Sequence, residues 1–150
     1  MKDRYLYRAK QKGNEEWITG QYVKGLDMYD KEVHLIFEPA TILYSSGETD
    51  GWSEIDPATI CQCTGLKDKN GKLIWENDIL HNGNYFIVKW NAPCARFDIV
   101  LNNSHNIPMG KWEPMICDWK TNDFKEYKKA VDYEVIGNVF DNKELLESEV

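Results

Sequence analysis

The sequence predicts a mainly β protein with one or two short helices, and three observations carry that reading. Apolar and polar residues alternate with period two along much of the chain. Those runs are rich in β-branched and aromatic residues, and the chain holds 19 aromatics, 6 Trp, 8 Tyr and 5 Phe, among 150 residues. In the second half, polar turns recur at roughly ten-residue spacing, the pattern of a small barrel or sandwich.

Taken in order, Tyr5, Tyr7 and Ala9 alternate with Arg4, Arg8 and Lys10 as in a half-buried strand. Lys2, Arg4, Arg8, Lys10 and Lys12 share a parity and would line its solvated face. Trp17–Val23 and Val33–Phe37 are the next strands, separated by a turn-like stretch at 24–31. Thr41-Ile42-Leu43-Tyr44 is a fourth, followed by a polar loop at 45–51 holding two glycines. Trp52–Ile55 and Asp56-Pro57 lead into a strand from Thr59 that ends or bulges at Thr64-Gly65. Asn70-Gly71 is the strongest short-range turn signal in the chain. Strands at 78–80, 85–90 and 96–101 follow, joined by Asn82-Gly83-Asn84 and Asn91-Ala92-Pro93. Asp123-Phe124-Lys125-Glu126 reads as a cap opening a short helix to Ala130, and Asn142 caps a second through Glu147.

The 18 basic and 25 acidic residues give a net charge of −7. The acid lies at the ends: net −4 over 1–60, +1 over 61–122 and −4 over 123–150. A general grip on nucleic-acid phosphate needs clustered Lys and Arg, so this balance argues against one. No apolar run approaches the roughly 20 residues that span a bilayer. The charged start, Met1-Lys2-Asp3-Arg4-Tyr5, opens no secretory signal. The expectation is a cytoplasmic protein with no membrane partner and with Cys61, Cys63, Cys94 and Cys117 reduced.

Signatures of chemistry are sparse. Cys61 and Cys63 sit on one face of a strand about 6.6 Å apart, not in a metal knuckle, and neither Cys94 nor Cys117 has a near partner. His34, His81 and His105, on a strand, at a strand end and in a loop, have no metal spacing. There is no Gly-x-Ser-x-Gly elbow, and Gly65 and Gly71 lack the Lys-Ser/Thr of a phosphate loop. The chain is expected to be no enzyme, with no catalytic residues, no metal and no cofactor.

The informative stretch runs from Ile55 to Leu80. It contains Asp56-Pro57-Ala58-Thr59, then Thr64-Gly65-Leu66-Lys67-Asp68-Lys69-Asn70-Gly71, then Trp75-Glu76-Asn77-Asp78-Ile79. This segment resembles the signature of the YopX family of phage and prophage proteins of Gram-positive bacteria. Tyr5–Ala9 resembles that family's opening strand, and Val135-Ile136-Gly137-Asn138-Val139-Phe140 its closing one. Cys61 and Cys63 stand where the family commonly has Gly and an aromatic, and 102–133 follows no family pattern.

The resemblance implies an N-terminal β region and a C-terminal small SH3-like β-barrel, here set at 1–56 and 57–150. It carries no catalytic residues. Asp56, Pro57, Thr64, Gly65, Leu66, Asp68, Asn70, Gly71, Asp78, Ile79, Gly137 and Asn138 are then read as a folding motif. On that reading Gly71→Val costs about 1–3 kcal/mol through strain, and Asp68→Asn costs less. The alternative makes Asp68 and Asp78 paired acids at a ligand site. The function expected is an accessory protein acting through contacts with a host or phage protein, or as a homo-oligomer. A nucleic-acid-binding barrel and an acidic inhibitor of a host nucleic-acid enzyme are the alternatives.

Overall fold

A computed structural model describes residues 2–39, 46, 51–101, 105–109, 115–118, 123–126 and 132–147, without the side chains of 2, 105–108, 115–118 and 123–126. The strand expected at 41–44, most of the loop after it, Trp112 and Trp119 lie outside the described residues. The chain folds as two compact units, 1–63 and 64–150. The division falls after the 56/57 boundary read from the sequence because residues 57–63 fold onto the first strand. Lys10 N–H donates to Thr59 Oγ1 at 2.9 Å, and Cys61 pairs with Arg8.

The first unit is an antiparallel sheet. Its strands are β1 (Tyr7–Lys10), β2 (Trp17–Leu26), β3 (Glu32–Phe37), β4 (Trp52–Glu54) and the start of β5 (Cys61–Lys67), in the order β4-β3-β2-β1-β5. Ala9, Ile36 and Ile55 are fully buried at its core, with Tyr7, Ile18, Tyr22 and Ile60 packed against them. Lys2–Tyr5 is a turn of 3-10 helix, not strand. The expected five-residue basic stripe therefore shrinks to Arg8 and Lys10, whose cations lie 5.0 and 5.6 Å from the Trp17 ring centre. β2 runs three residues beyond Val23, because Lys24, Gly25 and Leu26 find partners in His34, Val33 and Glu32.

The second unit begins within β5, whose far end lies beside β6 (Leu73–Trp75). Its main sheet joins β7 (Asp78–His81), β8 (Tyr85–Asn91), β9 (Arg96–Leu101), β10 (His105–Pro108) and β13 (Glu134–Asn138) in the order β10-β9-β8-β7-β13. Among the described residues this sheet is open. β13 returns beside β7 while β10 occupies the far edge, so the closed SH3-like barrel is not what these strands build. The core holds Ile74, Leu80, Phe86, Val88, Phe97, Ile99, Tyr133 and Val135, with Phe86 and Tyr133 edge to face at 5.2 Å.

A separate hairpin pairs β11 (Met115–Asp118) with β12 (Asp123–Glu126). The helix expected to open at Asp123 is thus a strand: a cap pattern four residues long yields to a cross-strand ladder. The expected helix after Asn142 is α1 (Glu144–Glu147). His105 belongs to β10, not to a loop. Among the described residues no helix is long and apolar enough to cross a membrane.

Candidate functional site

The signature residues from Thr64 to Ile79 lie in the second unit, and the structure shows what each polar group does. Gly65 takes φ +76° inside β5. Thr64 Oγ1 spans this irregularity, donating to Ile74 O at 2.7 Å and accepting from Leu66 N–H at 3.1 Å. Leu66 then packs on the core.

Asp68 organises the following turn. Its Oδ1 accepts the N–H groups of Asn70 and Lys72 at 2.8 and 2.9 Å, and its main chain closes the loop with Lys72 O and Gly71 N–H. Gly71 sits at φ +81° with nothing within 4 Å of a would-be Cβ, so the backbone angle alone selects glycine there. The second carboxylate oxygen, Oδ2, accepts Val135 N–H at 3.0 Å from β13. Around it Lys69 N–H donates to Tyr133 O, Lys69 Nζ pairs with Glu134 at 2.8 Å, and Asn70 Nδ2 reaches Glu134 at 3.3 Å. Burial pushes the Asp68 carboxyl pKa up, but the three backbone donors, Val135, Lys72 and Asn70, outweigh it and hold it below the ordinary carboxylate value.

Asp78 opens β7 almost wholly buried, its Oδ2 accepting Trp75 N–H at 2.8 Å across the β6–β7 turn. Asn77 makes that turn at φ +64°, its O accepting Val139 N–H and its Oδ1 accepting from Lys89 Nζ. Ile79 is fully buried but lies outside the main core cluster, opposite Ile87 and Gly137.

The closing motif holds the end of β13. A Cβ on Gly137 would stand 2.3 Å from Asn142 Oδ1, so the missing side chain is what admits Asn142. Asn142 Oδ1 accepts Asn138 N–H at 3.2 Å, and Asn138 Oδ1 accepts from Phe140 and Asp141. Asp56 and Pro57 do separate work in the first unit. Asp56 caps the 3-10 turn Pro57–Thr59 by accepting Ala58 N–H at 3.0 Å.

Asp56, Asp68 and Asp78 thus each accept at least one backbone N–H. A family model described as YopX protein matches residues 6–147, nearly the whole chain. The chain belongs to the YopX family. No curated protein matches it. Within this YopX chain, Gly137–Asn142 and the Asp68–Val135 closure lie inside the matched span.

Sequence reasoning missed two side-chain networks. Asp98, 1% exposed, accepts from Arg96 Nε at 2.8 Å and Asn91 Nδ2 at 2.6 Å. In the first unit Tyr22 Oη lies 2.7 Å from His34 Nδ1, His34 Nε2 lies 2.9 Å from Glu32, and Glu32 pairs with Lys24. Both are cross-strand arrangements with no local motif. Among the described residues no group of three or more His, Cys, Asp or Glu is placed to hold a metal. Cys61 and Cys63 are buried, and Cys94 is exposed.

Proposed function

We propose that this YopX-family chain is a non-enzymatic accessory protein of a phage or prophage, working in the host cytoplasm through protein–protein contact, self-association included. The observation that carries this reading is the use of Asp68 as a three-way acceptor for Asn70, Lys72 and Val135. The most specific motif in the chain is spent on holding the fold. Large apolar side chains, by contrast, stand exposed on the first unit at Val23, Leu26, Met28, Tyr29 and Trp52. The acidic balance suits a basic partner surface better than nucleic acid.

The test pairs two measurements on the purified chain. Panels of ester, phosphoester, glycoside and peptide substrates should give no turnover above the heat-denatured control. Light scattering and titration with proteins cross-linked to it in the host should give a stoichiometric complex. Turnover that Asp68→Asn or Asp78→Asn removes without unfolding the chain overturns the reading.

A further inference from the structure

The β2–β3 hairpin outgrows the sheet that carries it. β1 covers β2 only along Trp17–Gly20, and β4 covers β3 only along Leu35–Phe37, extended by Ile55 N–H donating to His34 O at 3.0 Å. From Lys24 to Val33 the sheet narrows to a two-stranded arm, and among the described residues no strand lies beside β2 beyond Gly20 on the β1 side. A lone two-stranded ribbon is marginal in water, so such an arm gains from cover.

The direction of its free backbone groups follows from the ladder. His34 O points to the β4 side, so in the Lys24–His34 pair neither residue bonds the other. The N–H and C=O groups of Tyr22, Lys24 and Leu26 therefore point to the open edge. The arm is also held in shape. Asp27 Oδ1 accepts the N–H groups of Tyr29 and Lys31 at 2.8 and 3.0 Å, and Asp27 N–H donates to Lys31 O. Val23, Leu26, Met28 and Tyr29 on this short stretch are 44, 66, 85 and 82% exposed.

We propose that the open edge of β2 pairs antiparallel with the same edge of a second copy of this chain, about a two-fold axis at Gly25. This rests on the reading of the chain as one that works through protein contacts. Pairing the edge groups about Gly25 sets Lys24 against Leu26 of the second copy and Leu26 against its Lys24. The axis passes where there is no side chain: a Cβ at Gly25 would meet nothing within 4 Å. Lysine on an edge normally opposes such pairing, but Lys24 Nζ is folded across to Glu32 at 2.8 Å, and this register keeps the two Lys24 residues apart. The edge is self-complementary under the two-fold, which is what a homodimer requires.

The test uses the whole chain. Light scattering should return about 35 kDa, twice the 17.5 kDa of one chain, or an even multiple of it. Lys24→Pro removes an N–H that β3 does not use, and it should weaken self-association at least tenfold while leaving the circular dichroism unchanged. Should that variant misfold, Gly25→Cys in a Cys94→Ser background gives a second measure. Opposed residues of a non-hydrogen-bonded pair are within disulfide reach. Mild oxidation should cross-link Gly25→Cys much faster than a Thr19→Cys control. A chain of 17.5 kDa at every concentration overturns the proposal. So does an oligomer that Gly25→Cys fails to cross-link; in that case contact through another surface, and the functional reading, survives.

Discussion

Val135 donates its backbone N–H to Asp68 Oδ2 at 3.0 Å across 67 residues of chain, and this bond ties the signature turn to the strand that completes the second sheet. A turn of ordinary local design becomes a long-range staple through one carboxylate oxygen. The other oxygen is already shared by Asn70 and Lys72.

The staple makes Asp68→Asn more damaging than Gly71→Val, the reverse of the order read from the turn alone. An amide retains one acceptor, so its NH2 group must face either Val135 N–H or the two turn donors. The cost is about 2–3 kcal/mol from a buried donor left unpaired. Gly71→Val meets open space and costs only backbone strain, about 1–2 kcal/mol. Urea unfolding of both variants checks the order.

The pH dependence has a definite sign. The Asp68 pKa is lowered in the folded chain, so its contribution is present above the unfolded value, about 3.9, and is lost as pH falls through the lower folded value. Glu134, lowered chiefly by its hydrogen bond to Lys69, acts in the same direction but is solvent-screened. Wild type should lose stability steeply below about pH 4, and Asp68→Asn should show a shallower acid limb in melts from pH 2.5 to 7.

Gly137 and Asn142 should be coupled. Gly137→Ala places a methyl against Asn142 Oδ1 and costs about 1–3 kcal/mol of overpacking. Adding Asn142→Ala should recover part of that loss, because the clash is with the Asn side chain. A double-mutant cycle with no coupling contradicts this.

Two ion pairs should differ in weight. Lys69–Glu134 joins two half-exposed side chains, whereas Arg96 pairs with a carboxylate 1% exposed. Arg96→Met should lower the melting temperature several-fold more than Lys69→Met, since only the first leaves a buried charge short of its partner.

The sequence by itself determined the local grammar of this protein. Alternation placed the strands around Trp17–Val23, Val33–Phe37 and Tyr85–Trp90. Turn chemistry placed Asp56-Pro57 and Asn70-Gly71, and the 55–80 signature pointed to the family that the chain matches. These are decided within a few residues by backbone angles and neighbouring donors. Tertiary structure decided the rest. Asp123–Glu126 became a strand because Met115–Asp118 lay across from it. Among the described residues the sheet of the second unit stayed open because β13 paired with β7 at one edge and β10 sat at the other. Asp68 acquired its third donor only when Val135 arrived. A hydrogen bond or a register between distant segments depends on which strands become neighbours, and the period-two pattern of a strand names its faces but not its partner.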